Sequence, residues 1–519
     1  MLWSQEGLPY FQVNTNFKMN FDFRTNIDGV QTSLVTRSIL FGDHGAYTMV
    51  LKLVKGEFQI DVITDQDPDP YWIPLIVGAS IILFLILTWL LALYIWKNKC
   101  QTDSHEDIQS VVKKRVKSLD TFRGLAVTVM IFVNYGGGGY WFFEHAYWNG
   151  LTVADLVFPW FIWIMGSAMP FSLKNIHAQK KKLDPLYKIV RRSVILFAIG
   201  LFLWNGYDIQ NWRIPGVLQR FSISYLVVGL MFFIPPLYPF SSPYKRINNQ
   251  EEHQSEEHSA PPIPRWSSYF QDLLPYLFHW LIISVFLTIY LLVQYLVDVP
   301  GCGKGYLGPG GIGDDGKYEN CTGGAHFYID KLIFGINHIY QHPTCEKLYK
   351  TGAFDPEGFL GFFTSICLCY FGVQAGRIIS TYSNSPRSIL IRWITWGIVL
   401  GAIGTALCAG SENNGIMPIN KNLWSVSFIC VMGGTAFLVL SLFYILIDVL
   451  DIWNGAPFIY VGMNPIIIYC GHDILGGYFP FSFKSPDTHT FMLLQDCIGV
   501  GVWLIIAFRM AQLKFFVSI

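Results

Sequence analysis

Residues 118–163 are SLDTFRGLAVTVMIFVNYGGGGYWFFEHAYWNGLTVADLVFPWFIW, and this stretch decides the fold. It contains an apolar span, a loop rich in glycine and aromatic residues that carries His145, and a second apolar span that buries Asp155. An acidic side chain inside a membrane-length segment costs at least about 2.5 kcal/mol, so it is retained mainly where it faces a bundle interior or a site. A histidine between two such spans, which changes protonation state near neutral pH, is a candidate general base or nucleophile.

The composition of the whole chain agrees with this local pattern. Of its 519 residues, 52% are hydrophobic and only 14% are charged, which predicts a polytopic α-helical membrane protein. The formal net charge is zero, so nothing indicates a nucleic-acid partner. Cysteine and histidine do not occur at the spacing of a zinc site, and we expect no metal.

Apolar runs predict about eleven transmembrane helices. The first occupies residues 71–97, a linker follows at 98–118, and a ten-helix domain fills 119–519. The individual spans are expected at about 72–96, 120–137, 151–173, 190–206, 216–238, 272–298, 358–378, 389–409, 424–447, 456–471 and 490–512.

The N-terminal segment, residues 1–70, is polar and differs from the rest of the chain. Its short alternating runs, Tyr47 to Leu53 and Phe58 to Ile63, are typical of strands and predict a small β-rich domain. Because this segment alone makes a thin core and no signal peptide precedes it, we expect the N-terminal domain to be truncated.

Basic residues predict the orientation of the chain in the membrane. Lys97, Lys99 and the Lys/Arg cluster that follows place the linker in the cytosol by the positive-inside rule. Residues 1–70 are then lumenal, the C-terminus is cytosolic, and the long loop 299–357 is lumenal.

The long lumenal loop contains two signals that fit this orientation. One is the N-glycosylation sequon Asn320-Cys321-Thr322. The other is a pair of cysteines, Cys302 and Cys321, that could form a disulfide in an oxidising compartment and would leave Cys345 unpaired.

Polar and aromatic side chains near the lumenal ends of the spans supply the candidates for a functional site. They are Asn134, His145, Trp148, Asn149, Asp155, Arg213, Gln219, Arg220, Lys421, Trp424, Ser425, Asn464 and His472. An arginine inside a span must be paired or directed at an anionic ligand, and guanidinium matches phosphate geometry. Residue chemistry alone therefore predicts a polar intramembrane site that opens to the lumen, with the reaction undetermined.

Each candidate also has a structural interpretation. His145 could serve only in structural hydrogen bonding. Asp155 could pair with Arg123 or Arg220 and so hold the bundle together. Residues 420–422 could cap the ninth helix, and the tryptophans could anchor the chain at the membrane interface.

Several long and unusual motifs resemble one known family. They are SLDTFRG, FVNYGGGGYW, HAYWNGLTVADLVFPWF, RIPGVLQR, GVQAG, PINKNLWS and GMNPIIIYCGH. From about Asp43 to the C-terminus, the chain closely resembles the heparan-alpha-glucosaminide N-acetyltransferases of the lysosomal membrane.

The resemblance implies transfer of an acetyl group across the lysosomal membrane. Acetyl-CoA in the cytosol would supply the acetyl group, and the terminal non-reducing alpha-glucosamine of heparan sulfate in the lumen would accept it, as a step of heparan sulfate degradation. The family's catalytic histidine corresponds to His145, and the asparagine of its FVNYGGG block corresponds to Asn134. A homodimer is what the family suggests.

The two substrates divide the remaining candidates. For binding acetyl-CoA we expect Arg213, Gln219, Arg220, Lys421, Trp424 and Ser425. For binding the sugar we expect Trp148, Asn149, Asp155, Asn464 and His472.

Two other functions remain open at this point. One is a membrane transporter of a sugar or a CoA-type metabolite, with Asp155 and Arg220 as an intramembrane ion pair. The other is an acyltransferase that shares the DTFRG-type opening but modifies a different acceptor. Flux of intact ligand that survives the loss of His145 would favour the transporter.

Overall fold

A computed structural model describes residues 18–27, 30–54, 57–99, 116–173, 183–237 and 270–517, together with Val13, Thr15 and Ile176. The chain forms two compact units. The first contains residues 1–113, 136–143 and 479–499, and the second contains 114–135, 144–478 and 500–519.

The strands of the first unit form two antiparallel hairpins. Strand β1 (Met19–Ile27) pairs with β2 (Val30–Ile39), and β3 (Ala46–Val54) pairs with β4 (Glu57–Gln66). The two runs predicted as strands lie within β3 and β4, because alternation of apolar and polar residues suits a half-buried strand. Whether these strands form a lumenal domain stays a prediction.

The glycine-rich loop 136–143 also belongs to the first unit. Gly138 has φ of +68°, its N–H donates to Asp496 Oδ2 (2.8 Å), and its carbonyl accepts from His489 Nδ1 (2.9 Å). The left-handed backbone explains why glycine is used here. His489 Nε2 lies 2.8 Å from Asp43 Oδ2, so this loop and the N-terminal segment are connected through one side chain.

Helices make up most of the described chain. They are α1 (Ile73–Lys99), α2 (Lys117–Tyr135), α3 (Val153–Ser172), α4 (Leu183–Trp204), α5 (Val217–Met231), α6 (Leu277–Leu296), α7 (Ala325–Ile333), α8 (Glu346–Tyr349), α9 (Leu360–Thr381), α10 (Pro386–Leu407), α11 (Val426–Phe443), α12 (Phe458–Met463), α13 (Pro465–Leu475) and α14 (His489–Gln512). A π-helical turn, Tyr444–Val449, extends α11, and a short hairpin joins β5 (Asp298–Val299) to β6 (Gly303–Lys304).

Six of the described helices are long and apolar enough to cross a membrane. They are Val153–Ser172, Leu274–Leu296, Leu360–Thr381, Pro386–Leu407, Val426–Val449 and His489–Gln512, and shorter apolar helices cover Ile73–Leu85, Val217–Met231 and Pro465–Leu475. The chain is thus a helical membrane protein. Each predicted span overlaps a helix, but the count of eleven stays a prediction.

The tenth predicted span is not one continuous helix. It consists of α12 and α13, which are separated at Asn464, whose backbone has φ of −131° and ψ of 49°. Pro465 causes the break, since proline disfavours helical geometry in the residue before it and has no N–H to donate.

Within the second unit, α3 and α9 pack with their backbones close together. A Cβ atom added to Gly372 would overlap the carbonyl of Trp163, and one added to Gly166 would overlap the carbonyl of Cys369. Small residues at a helix interface permit this close approach in membrane proteins. Most of α3 and α9 is buried, whereas most residues of α6 and α10 are at least partly exposed.

Three loops meet at the N-terminal end of α3. Gly150 N–H donates to the Ile419 carbonyl (2.9 Å), and Trp148 Nε1 donates to the Leu307 carbonyl (2.9 Å). The loops before α3, before α11 and after α6 therefore lie on the same side of the bundle, whereas their assignment to the lumen stays a prediction.

The loop after α6 contains the predicted disulfide. Cys302 and Cys321 are bonded to each other, and Cys345 is a buried free thiol. The side chain of Asn320 is exposed, whereas Thr322 two residues later is buried.

Candidate active site

The candidate site is built around the first turn of α3. Thr152 is the N-cap of the helix and Asp155 is its third residue, so the sequence TVAD forms a capping box. Asp155 Oδ2 accepts hydrogen bonds from Thr152 N–H (3.3 Å), Thr152 Oγ1 (3.0 Å) and Ala146 N–H (3.1 Å). These donors fix a fully buried carboxylate at the positive end of the helix dipole.

The other oxygen of this carboxylate holds a histidine and a lysine. His145 Nδ1 lies 2.8 Å from Asp155 Oδ1, and Lys421 Nζ lies 3.4 Å from the same oxygen. Lys421 Nζ is also 2.9 Å from His145 Nδ1 and 3.2 Å from His145 Nε2. The His145 side chain is 37% exposed, whereas those of Asp155 and Lys421 are 0% and 12% exposed.

This geometry defines the tautomer of His145. A carboxylate can only accept a hydrogen bond, so Nδ1 carries the hydrogen that it donates to Asp155, and Nε2 carries the lone pair. A buried acid that orients an accessible imidazole in this way is the arrangement of a general base or a nucleophile. His145 therefore has the position, the partner and the exposure that such a role requires.

A network of amides supports the lysine. Asn420 Nδ2 donates to Asn149 Oδ1 (3.1 Å), and Asn149 Nδ2 donates to Asn413 Oδ1 (2.7 Å).

Ser425 is the N-cap of α11, and its hydroxyl accepts from Phe428 N–H (3.3 Å). The cap of this helix is thus Ser425, so the interpretation of residues 420–422 as capping residues is wrong.

Asn134 occupies a second polar position. Its Nδ2 donates to His472 Nε2 (2.9 Å), and His472 Nδ1 donates to the carbonyl of Tyr469. His472 is therefore neutral, with its hydrogen on Nδ1 and an accepting Nε2. Asn134 is bonded to His472, whereas the partners of His145 are Asp155 and Lys421.

Comparisons with known proteins show to which family this chain belongs. A family model described as a domain of unknown function, DUF5009, matches residues 115–242. The human heparan-alpha-glucosaminide N-acetyltransferase is 40% identical over 522 residues, which covers 92% of this chain and 76% of the human protein. The chain belongs to the heparan-alpha-glucosaminide N-acetyltransferase family. The mouse protein of the same name is 44% identical over 412 residues, or 78% of this chain and 60% of the mouse protein.

The arginines that we expected to bind CoA in this acetyltransferase family member are engaged inside the protein. Arg213 donates to both carboxylate oxygens of Asp355 (2.9 and 2.6 Å) and to Glu357 Oε2 (2.5 Å). Arg220 is fully buried and donates through Nη2 to the carbonyls of Pro356 and Gly358 (3.1 and 3.2 Å).

The pairing of Asp155 with an arginine is not observed. Arg123 Nη1 bonds to Asp120 Oδ1 (3.1 Å) and to the Gly462 carbonyl, and Arg220 has the carbonyl partners described above. The Asp155–Arg220 ion pair, on which the transporter interpretation depended, is therefore absent among the described contacts.

Other expected ligand residues have structural contacts. The Trp148 ring is buried and packs against Phe354, with ring centroids 5.5 Å apart. Asn464 Nδ2 donates to the Phe515 carbonyl (2.9 Å), and Asn464 Oδ1 accepts from Val517 N–H (3.0 Å). Trp148 thus lies in a small core of the loops, and Asn464 fixes the C-terminal segment.

Two further candidates lie beside Arg220. Gln219 is buried and, within the described part of the chain, its amide has no hydrogen-bond partner. Trp424 is fully buried, and the guanidinium of Arg220 lies 4.5 Å from the centre of its ring.

Thr152 and the N–H of Ala146 were not among the residues predicted for the site. The signal for Thr152 was present, since Ser or Thr followed three residues later by an acid before an apolar run is a capping-box pattern. The backbone donor of Ala146 has no signature in a sequence.

Proposed function

We propose that this chain is a transmembrane N-acetyltransferase that moves the acetyl group of cytosolic acetyl-CoA to the terminal non-reducing alpha-glucosamine of heparan sulfate in the lysosomal lumen. Its place in the family supports the reaction. The observation that carries the site is the partly exposed imidazole of His145, held by the buried carboxylate of Asp155 at 2.8 Å.

His145 supports two routes for acetyl transfer. In the first, Nε2 takes a proton from the glucosamine amine while the amine nitrogen attacks the thioester carbonyl. In the second, Nε2 itself attacks that carbonyl, CoA leaves as the thiolate, and the acetyl-imidazole then passes its acetyl group to the amine. In both routes Asp155 stabilises the positive charge that develops on the imidazole ring.

Asn134 and His472 form a second contributor to the site. Asn134 is exposed and its amide is oriented by a neutral His472, so this pair can present a polar group to a substrate. We assign the pair to binding of the acetyl donor or the sugar. We assign Asn149 and Asn420, which are near Lys421, to the same role.

The orientation in the membrane follows the charge pattern. The loop after α6, which bonds to Trp148 of the His145 loop, contains the disulfide and the exposed Asn320, both of which suit an oxidising lumen. We therefore assign the N-terminus and the His145 loop to the lumen, the C-terminus to the cytosol, and a glycan to Asn320. The homodimer stays a prediction, which the mass of the detergent-solubilised particle would check.

A single-turnover experiment tests the function. The full chain in detergent is mixed with acetyl-CoA alone, and then with a heparan oligosaccharide that ends in unsubstituted glucosamine, beside the His145→Ala variant. We expect acetylated oligosaccharide from the wild type and none from the variant. An acetyl group that maps to His145 before sugar is added supports the second route.

The controls separate this function from the alternatives. An oligosaccharide whose terminal glucosamine is already N-acetylated should accept nothing. Wild-type protein that is folded and yields no acetylated sugar would refute the proposal, and transport of intact acetyl-CoA or sugar by His145→Ala would favour a transporter.

A further inference from the structure

The ammonium of Lys421 lies beside the imidazole ring of His145. It lies within hydrogen-bond distance of His145 and is attracted to Asp155 Oδ1 at 3.4 Å. An ammonium has donors and no acceptor. Lys421 Nζ lies 2.9 Å from Nδ1 and 3.2 Å from Nε2 of His145, so the ammonium faces the ring beside both nitrogens and does not lie along the in-plane lone pair of Nε2.

The lone pair of Nε2, which His145 needs for either route of acetyl transfer, is therefore not covered by Lys421. A substrate atom can approach Nε2 in the plane of the ring while the ammonium stays beside it. Attraction to Asp155 Oδ1 limits how far the ammonium moves, because a buried carboxylate retains an opposite charge strongly.

The ammonium lies close to where the reaction develops negative charge. The carbonyl carbon under attack bonds to Nε2 itself or to the amine nitrogen beside it, so its oxygen comes within a few ångströms of Lys421 Nζ, which lies 3.2 Å from Nε2. A charge-assisted hydrogen bond is about twice as strong as a neutral one. Asn134, the other candidate donor, is neutral and uses one of its two amide hydrogens on His472.

We propose that Lys421 is a catalytic residue that stabilises the oxyanion of the tetrahedral intermediate; this inference rests on the proposed acetyltransferase function. The amine nitrogen forms a bond to the thioester carbon, its proton goes to His145 Nε2, and the carbonyl electron pair moves to the oxygen that Lys421 holds. Collapse restores the carbonyl, breaks the carbon–sulfur bond, and returns the proton from His145 to the CoA thiolate.

Steady-state kinetics of Lys421→Met with two donors test this role. One donor is acetyl-CoA and the other is S-acetyl-N-acetylcysteamine, a short thioester without phosphates. We expect the variant to lose about 10²-fold or more in kcat with both donors, as when an oxyanion donor is removed. Loss confined to the KM for acetyl-CoA, and absent with the short thioester, would instead make Lys421 a phosphate ligand and overturn the proposal.

The dependence of kcat on pH distinguishes two roles of Lys421. In one it donates to the oxyanion, and in the other its charge only compensates the carboxylate of Asp155. If Lys421 merely compensates the carboxylate, its removal favours protonated His145, and raising the pH restores kcat. We expect the kcat of Lys421→Met to stay low across the profile. Recovery to within about threefold of the wild type at alkaline pH would refute the proposal.

Matched variants complete the experiment. Lys304→Met removes an exposed lysine of β6 and should leave kcat unchanged. Lys421→Gln keeps a donor without the charge, so we expect it to lose less kcat than Lys421→Met, and to the same extent with both thioester donors. Wild-type protein without acetyl transfer overturns both the function and this inference, whereas active wild type with an equally active Lys421→Met overturns the inference alone.

Discussion

The two oxygens of the Asp155 carboxylate have different partners and different roles. Oδ2 accepts from the N-terminal donors of α3, and Oδ1 accepts from His145 and attracts Lys421. The first role stabilises a helix end, and the second sets the tautomer of the imidazole. Folding of this loop and reactivity of the histidine therefore depend on one side chain.

Asp155→Asn should separate these roles. The amide has one accepting oxygen in place of two, so the orientation of His145 is lost, and we expect kcat to fall by up to about 10⁴-fold. Thr152→Ala is the comparison: it removes a cap at about 1 kcal/mol of stability but should change kcat only slightly. Equal losses of kcat in the two variants would contradict the assignment, and thermal unfolding in detergent reports the stability difference.

Asn134 and His472 should act as one unit. Alanine at either position removes the same 2.9 Å hydrogen bond, so we expect the double variant to be no worse than the more affected single variant. A double-mutant cycle on kcat/KM should give a coupling energy of about 1 kcal/mol. Strict additivity would show that the two residues work independently.

The sequence identifies some of these residues and not their arrangement. His145 and Asp155 could be found because titratable groups beside apolar spans are uncommon. The place of Lys421 could not, because 276 positions separate it from His145 and only the packing of three loops brings them together. The charge of Lys421 suggested a phosphate ligand, whereas its contacts with His145 and Asp155 indicate a role in the reaction itself.

At the scale of elements, α3 and α9 are positioned by glycines. No Cβ fits at Gly372 beside the Trp163 carbonyl. Apolar runs were sufficient to predict that these helices exist, but a hydrophobic helix in a membrane has no polar face that reveals its neighbour. The break between α12 and α13 had a visible signal in Pro465, which the apolar run obscured.

A pair of glycine substitutions tests this packing. Gly372→Ala should destabilise the protein by about 1–3 kcal/mol, because α3 and α9 must move apart. In contrast, a Cβ added to Gly401 of α10 meets nothing within 4 Å, so Gly401→Ala should be neutral or slightly stabilising. Melting of the two variants in the same detergent is the measurement, and equal melting temperatures would contradict the close approach.

At the scale of the molecule, the loop after α6 contains buried carboxyl groups that composition did not predict. Burial raises the pKa of Asp330 to about 8; the N–H of Phe359 and the charge of Arg220 oppose this rise, and the charge of Asp355 adds to it. Acids in a long polar loop are normally solvated, so no pattern in these residues predicts a buried one.

The raised pKa of Asp330 predicts that acid stabilises the fold. The folded chain binds this proton more tightly than the unfolded chain, where the usual pKa is 3.8. Stability should therefore fall as pH rises between the two values, since the unfolded state binds fewer protons there. Asp330→Asn should flatten this dependence and Glu319→Gln, an exposed control, should not; an unchanged pH dependence in Asp330→Asn would contradict the assignment.

The loop that exposes Asn320 also buries Thr322, which is 4% exposed. An enzyme that glycosylates Asn-x-Thr reads the threonine as well as the asparagine. In the finished loop that threonine is out of reach. The glycan that we propose for Asn320 would therefore have to be added to the nascent chain during its translocation, because the folded loop no longer presents Thr322 to the enzyme.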